Sequence, residues 1–213
     1  MLGYDDDDGQ GSRLFEHGAS DAHRMVPRSE LVVYDAQKQV SGLRMYSWSR
    51  KGLAPDTGSL VVYIDGACRD SGHPSARGSW GVYFGPGSRH NRRGLLAPAL
   101  PQTAARAEIE ALARALDALR EVTARDRSLS KVKIATGSEY LANAMTLWIG
   151  DWIDNEGTDA RGRGVAHFEA LRELHERLDD MTYGGDGGLE VMFWPIPREE
   201  NQEAGKLANE AFQ

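Results

Sequence analysis

Short apolar runs alternate with longer runs of helical spacing along residues 60–213. The β-branched and aromatic runs predict strands at residues 60–64, 79–84, 94–96, 132–135 and 189–194. Apolar positions that recur every three or four residues predict helices at residues 109–119, 141–153, 168–178 and 201–212. The order β-β-β-α-β-α-α-β-α predicts an α/β fold, with one five-stranded mixed sheet flanked by helices on both faces.

Residues 1–59 show neither long strand-like apolar runs nor an apolar repeat of helical spacing. They open with an acidic run, Asp5 to Asp8, and contain only two short apolar runs, at residues 31–34 and 43–46. A polar segment of this kind buries too little apolar surface to offset the entropy lost on ordering. We therefore predict a partly disordered N-terminal extension over residues 1–59, in which residues 31–34 add an edge strand, and a compact domain over residues 60–213.

Composition narrows the class of protein. With 213 residues, of which 40% are hydrophobic, the chain can bury a sizeable core. No apolar run approaches the roughly 18 to 20 residues that cross a bilayer, and the acidic start differs from a basic leader, so we expect a cytoplasmic or nuclear protein without a membrane partner. The lone Cys68 excludes an internal disulfide and a zinc site built from cysteines. The net charge of -7 disfavours an extended coat of nucleic acid but permits a local basic patch.

Two carboxylates stand where chemistry is expected. Asp65 ends the apolar strand 60–64, and Glu108 lies near the start of the next helix. Strand ends and helix starts converge at one edge of an α/β sheet, which brings such side chains together. An acid that ends an apolar strand needs a partner or a metal ion, so Asp65 and Glu108 are the candidate catalytic and metal-binding pair.

Five blocks of sequence surround this pair and follow one another in a specific order. They read YIDGAC at residues 63–68, GSWGVYF at 78–84, PQT and RAE within 101–108, IATGSEY at 134–140, and FWPIPRE, Asn201 and LAN within 193–209. In content and order they resemble the type 1 ribonuclease H domain, most closely its fungal-like branch. The resemblance covers nearly all of residues 60–213 and implies the ribonuclease H-like fold.

The resemblance implies a nuclease that cuts the RNA strand of an RNA/DNA hybrid with two Mg²⁺ ions held by four acids. Asp65 and Glu108 match two of these acids, whereas Gly137 and Gly205 stand at the positions of the other two. Seven further residues are candidate nucleic-acid contacts, six of them within the blocks that carry the resemblance and Arg77 as a basic side chain that can reach phosphates. These are Arg77, Gln102, Thr103, Arg106, Ser138, Arg198 and Asn201.

The two glycines decide the functional hypothesis. Glycine has no side chain to offer a metal ion, and two acids leave a pair of Mg²⁺ ions with an excess of positive charge. We therefore expect weak or absent Mg²⁺ binding and a catalytically impaired module that binds or scaffolds nucleic acid. Two alternatives stay open: an active Mg²⁺-dependent ribonuclease H in which Glu139 or Glu203 replaces a missing acid, and a pseudoenzyme that binds a protein partner.

Overall fold

The computed structural model describes residues 13–185 and 188–213. They form one eight-stranded sheet with helices on both faces. The strands are β1 (Val32–Asp35), β2 (Val40–Ser47), β3 (Gly52–Pro55), β4 (Ser59–Arg69), β5 (Arg77–Tyr83), β6 (Arg92–Leu95), β7 (Lys131–Thr136) and β8 (Glu190–Pro195). The helices are α1 (Asp21–Arg24), α2 (Ala104–Arg125), α3 (Glu139–Asn143), α4 (Ile149–Asp154), α5 (Phe168–Tyr183) and α6 (Gln202–Glu210). A π-helical turn, Ala144–Trp148, joins α3 to α4, and no helix within the described ranges is long and apolar enough to cross a membrane.

The five strands from β4 onward form the predicted mixed sheet, in the spatial order β6-β5-β4-β7-β8. The pairs β4–β5 and β5–β6 are antiparallel, whereas β4–β7 and β7–β8 are parallel. Strands and helices from β4 to α6 also follow one another in the predicted order when α3, the π turn and α4 count as one helical segment. The predicted ribonuclease H-like α/β fold is therefore confirmed.

The N-terminal segment adds three strands to the five predicted ones, and of these three the sequence predicted only the edge strand at residues 31–34. Strand β2 pairs with β1 and β3 and joins β4 through Ser41 opposite Val61. The N–H of Ser41 also donates to the carbonyl of Phe84 at 2.7 Å. Strand β1 lies at the sheet edge, where the apolar run 31–34 predicted one. The disorder predicted within residues 1–12 lies outside the described residues, and the boundary at residue 60 stays a prediction.

The sheet buries both of its faces. One face packs against α2, α3 and α5 around a core that includes Leu60, Val62 and Ile64. The opposite face is covered partly by α6 and partly by the N-terminal segment, whose buried side chains meet those of β4, β7 and β8. This second core contains Phe15, Val26, Leu31, Leu43, Val61, Ala135, Trp194 and Ile196. The N-terminal segment thus contributes to the core of the molecule.

Two glycines let helices approach the central strands closely. A Cβ atom at Gly66 on β4 would lie 2.8 Å from the Cα of Glu108 in α2, and one at Gly81 on β5 would lie 2.7 Å from the backbone nitrogen of Ala208 in α6. Real Cβ atoms do not come this close to backbone atoms. Both helices therefore sit directly on the sheet beside Asp65, because Gly81 pairs with Asp65 across the β4–β5 ladder.

The second core predicts a specific pattern of stability. Leu43 is fully buried on β2, whereas Leu53 on the neighbouring β3 is 39% exposed. Leu43→Ala should lower the free energy of unfolding by about 2 to 5 kcal/mol, because it leaves a cavity between the N-terminal segment and the sheet. Leu53→Ala, the matched control, should cost less than about 1 kcal/mol. Urea unfolding of both variants measures this, and equal stabilities would show that the segment does not pack on the sheet.

Candidate active site

Asp65 and Glu108 meet where α2 lies on β4. Glu108 is only 7% exposed, and its Oε2 atom is buried with no hydrogen-bond partner in the described part of the chain. Asp65 directly precedes Gly66, and Gly66 is where the strand and the helix approach each other most closely. An orphaned carboxylate oxygen beside a second carboxylate is costly unless a proton or a cation compensates for it.

The electrostatics of the pair reflect this cost. Burial raises the pKa of Asp65 to about 6. Burial and, next, the negative charge of Asp65 raise the pKa of Glu108 to about 8. In both cases the positive charge of Arg198 opposes the rise. The site therefore holds protons more tightly than ordinary carboxylates do and favours any additional cation.

Gly205 and Gly137 border this pair. A Cβ atom at Gly205 would lie 2.8 Å from Oδ2 of Asp65. Thr136 pairs with Ile64 in the parallel β4–β7 ladder, so Gly137, the first residue after β7, is level with Asp65. Asp65 itself lies inside β4 and not at its end, because the strand continues to Arg69. A Cβ atom at Gly137 would lie 3.2 Å from Cγ of Arg198. The structure thus brings together all four positions that the sequence predicted around one site.

The donor set fits one divalent cation but not two. Asp65 and Glu108 offer hard oxygen ligands, and the orphaned Oε2 of Glu108 is available to a cation. Within residues 13–185 and 188–213, however, no three histidine, cysteine or acidic side chains converge to hold a metal ion. The residues present therefore do not fit the two-ion centre that the resemblance implies.

The two acids that might replace the missing carboxylates lie elsewhere. Glu203 faces Tyr83, whose pKa is raised by burial and then by the charge of Glu203. Glu139 is exposed at the start of α3. The charges that shift the pKa values of Asp65 and Glu108 include neither of these groups.

Several residues predicted to touch nucleic acid are engaged inside the protein. The side-chain oxygen of Gln102 accepts from the N–H of Gly78 at 2.8 Å, and its amide donates to the carbonyls of Ala97 and Leu100. Arg106 pairs with Glu110 at 3.2 Å. Their side chains hold the loop before α2 and its first turns in place, and their contact with nucleic acid stays a prediction.

Three more of these residues organise helix starts. Thr103 and Ser138 cap α2 and α3 by accepting from the N–H groups of Arg106 and Leu141. Asn201 is 4% exposed and donates to the carbonyl of Ile64 at 2.9 Å, which ties the start of α6 to β4 immediately before Asp65. The Oδ1 atom of Asn201 is buried without a partner in the described structure.

Four basic residues lie on the elements that surround the acid pair, and of these Arg198 adds its positive charge to both acids. Arg77 on β5 stands directly opposite Arg69 on β4, and strand alternation places Arg69 on the same face as Asp65. Arg69, Arg77, Arg198 and Lys206 each lack an ion-pair partner among the described residues. The sequence did not indicate Arg69 as a candidate nucleic-acid contact, because only the strand pairing shows that it lies beside Arg77. We call these four residues the basic rim.

The comparisons with known proteins agree with this geometry. The family model for RNase H matches residues 57–213. The chain is 33% identical over 156 residues to mouse ribonuclease H1, covering 71% of this chain and 50% of that protein. It is 31% identical over 130 residues to ribonuclease H of Rickettsia bellii, covering 61% of this chain and 76% of that protein. The chain therefore spans about half the length of the mammalian relatives and most of the bacterial one.

Solved structures show the same fold. A foamy viral protease-reverse transcriptase in complex with an RNA/DNA hybrid has a TM-score of 0.53 at 20% identity, covering 71% of this chain and 19% of that one. An RNase H1 isolated from compost has a TM-score of 0.51 at 23% identity, covering 71% of this chain and 93% of that one. The placement in a fungal-like branch stays a prediction. The family match, the relatives and the site geometry agree: the chain belongs to the ribonuclease H family.

Proposed function

We propose that this chain is a ribonuclease H-like module that binds RNA/DNA hybrids and is strongly impaired in cutting them. The observation that carries the proposal is the acid pair Asp65–Glu108 bordered by Gly137 and Gly205, two positions that supply no carboxylate. The chain keeps the fold and the first two acids of its family and lacks the ligands that a two-ion centre requires.

Charge balance explains the impairment. Two divalent ions about 4 Å apart need several carboxylates, because they repel each other and must also stabilise the attacking and leaving oxygens of phosphate hydrolysis. Asp65 and Glu108 supply two negative charges, and Arg198 already contributes a positive charge to both. This balance supports binding of at most one divalent cation, which does not provide the two-sided clamp of the family reaction.

The basic rim supports the retention of nucleic-acid binding. Cations without acidic partners are free to contact phosphates, and such contacts position a duplex without reading its sequence. Arg69 and Arg77 lie side by side across β4 and β5, and the guanidinium of Arg69 lies 4.3 Å from the ring centroid of Phe212. The names of the relatives, ribonuclease H1, and the hybrid bound to the foamy viral enzyme favour an RNA/DNA hybrid as the ligand class.

Cleavage and binding assays on one labelled hybrid test the proposal. With Mg²⁺ or Mn²⁺, cleavage should be at least about a thousandfold slower than by human ribonuclease H1, since most of the metal stabilisation of the transition state is lost. Fluorescence anisotropy should still detect binding that weakens as salt rises. The double change Arg69→Gln and Arg77→Gln should weaken binding at least about fivefold, because two phosphate contacts are lost.

The double change Arg125→Gln with Arg127→Gln provides the matched charge control, because both residues are exposed, at the end of α2 and in the connection to β7, outside the site. It should change hybrid binding less than the loss of Arg69 and Arg77 does. Cleavage within about tenfold of the human enzyme, abolished by Asp65→Asn, would show that the catalytic site is complete and that the proposal is wrong.

Restoring both carboxylates should restore the metal site. The atoms nearest to a new side chain at Gly137 and at Gly205 belong to the flexible side chains of Arg198 and Asp65, which can move. Gly137→Asp with Gly205→Asp should therefore yield calorimetric Mg²⁺ binding and measurable cleavage, and each single change should yield much less because two ions share the acids.

The isosteric pair Gly137→Asn with Gly205→Asn controls for side-chain volume and should bind Mg²⁺ no more tightly than the unchanged protein does. A double aspartate variant that folds and binds Mg²⁺ but neither binds nor cuts the hybrid would contradict the proposed ligand. That result would favour a domain that recognises a protein partner instead.

The raised pKa of Glu108 predicts that the stability of the protein depends on pH. Its pKa is about 8 in the folded protein and 4.5 in the reference state, so the unfolded chain releases this proton first as the pH rises. Glu108 therefore does not lower the free energy of unfolding below pH 4.5. Between pH 4.5 and about pH 8 it lowers the free energy of unfolding by an increasing amount. With a chelator present, Glu108→Gln should stabilise the protein by an amount on the order of a few kcal/mol at pH 8 and much less at pH 5.

Glu110→Gln is the control on the same helix. Glu110 is also buried, but it pairs with Arg106 at 3.2 Å and with Arg114 at 2.6 Å, so its neutralisation should lower the thermal midpoint at both pH values. A Glu108→Gln variant with the same change in stability at pH 5 and pH 8 would show that Glu108 is not held protonated in the folded state.

A further inference from the structure

A cavity of about 300 Å³ lies between the N-terminal strands β1 and β2 and the start of α6. Three tyrosines line it: Tyr34 from β1, Tyr63 from β4 and Tyr83 from β5. Two acids, Glu200 and Glu203, complete its rim. The cavity is adjacent to the acid pair, because Tyr63 precedes Asp65 by two residues on the same face of β4. It is distinct from the pair, because neither Asp65 nor Glu108 lines it.

The polar groups of this cavity lack partners of their own. None of the three phenol hydroxyls makes a hydrogen bond to another residue in the described ranges. Asn201 also lines the cavity; it is 4% exposed and its Oδ1 atom has no partner there. Glu200 pairs with Arg28 at 2.9 Å, whereas Glu203 forms no ion pair with a described residue. Within the described residues the cavity therefore offers the unpaired acceptor Oδ1 of Asn201 and the negative charge of Glu203, and the cation beside its rim, Arg28, is paired with Glu200.

The aromatic side chains that line the cavity also attract cations, as the negative charge of Glu203 does. The rings of Tyr63 and Tyr83 are 6.1 Å apart with an interplanar angle of 61°, and Tyr34 packs against Gly85. Aromatic faces attract cations, most strongly where water is excluded. Burial raises the pKa of Tyr63 to about 12, with a further contribution from the charge of Glu200. Negative charges and π faces thus act together on the interior of the cavity.

These features select one class of ligand. A purely apolar molecule would cover Oδ1 of Asn201 and the carboxylate of Glu203 without satisfying them, which is costly. An anion would meet the charge of Glu203. A cation that carries N–H donors on a short apolar stem would satisfy the acceptors with its head and contact the rings with its stem.

We propose that the cavity between β1, β2 and α6 binds an alkylammonium group, as found on a lysine side chain or a free polyamine. The proposal is independent of whether the chain binds or cuts RNA/DNA hybrids, because it rests on Tyr34, Tyr63, Tyr83, Asn201 and Glu203 rather than on the acid pair. It also gives a role to the N-terminal strands, which supply one wall.

An NMR titration with n-butylammonium tests the proposal directly. Amide shifts of Tyr34, Tyr63, Tyr83 and Ala204 should change in a saturable manner, and 1-butanol, the uncharged analogue, should bind at least about tenfold more weakly. Glu203 is exposed at the rim of the cavity, so Glu203→Gln should weaken butylammonium binding about threefold to fivefold. Glu199→Gln removes the same charge from an exposed neighbour that does not line the cavity, and it should change the affinity less than about twofold.

Removing an aromatic face provides a test that does not depend on charge. Tyr34→Leu keeps an apolar side chain and loses the π face, so it should weaken butylammonium binding in a protein whose spectrum is otherwise retained. The source of the ligand is then distinguished with spermidine and with a short lysine peptide, whose acetylated form should not bind. Equal binding of butanol, equal effects of the two glutamate changes, or shifts that spare the three tyrosines would overturn the proposal.

Discussion

The close contact between α2 and β4 at Gly66 fixes the geometry of the site. Any side chain at Gly66 would overlap the backbone at Glu108, so only glycine allows the helix to lie on the strand at this point. The contact buries Glu108 beside Asp65 and deprives its Oε2 of water. Gly81 does the same for α6 on β5, which brings Gly205 to Asp65. Two backbone contacts therefore determine which side chains face one another.

The stability of the fold does not depend on carboxylates at the four site positions. The hydrophobic cores lie on both sides of the sheet and include none of the four site positions. A glycine within α6 costs about 1 kcal/mol relative to alanine, which is small beside the burial of these cores. Protons held by Asp65 and Glu108, together with Arg198, reduce the repulsion that metal ions would otherwise neutralise. The fold and the reaction are thus separable, and function must be inferred from the site.

Periodicity revealed the elements after residue 59, because their strands are β-branched and buried and their helices carry clear apolar stripes. It did not reveal β2 and β3, because β2 mixes apolar and polar residues without a regular period and β3 has only four residues. Burial in β2 depends on partners distant in sequence, since Leu43 packs in one cluster with Val61 of β4 and Trp194 of β8. The pair Asp65–Glu108 was predictable because Asp65 ends the apolar run of β4, although the strand continues beyond it, and because Glu108 lies in the first turns of α2.

Other features of the site arise only from tertiary structure. Gln102 and Arg106 match the motif, yet their hydrogen bonds to Gly78 and Glu110 brace the fold, which no spacing rule indicates. The tyrosine-lined cavity joins residues from four strands and α6, so no local pattern marks it. Arg69 is a candidate phosphate contact only because it lies opposite Arg77 on the neighbouring strand. In each case the decisive neighbour is remote in the chain.

The number of metal ions that the site accepts tests the central claim most directly. Crystals soaked in Mn²⁺ and measured at the manganese absorption edge reveal each bound ion by its anomalous signal. We expect at most one Mn²⁺ at Asp65 and Glu108, since two acids cannot neutralise two divalent ions. Two well-ordered Mn²⁺ ions about 4 Å apart at this site would contradict the account.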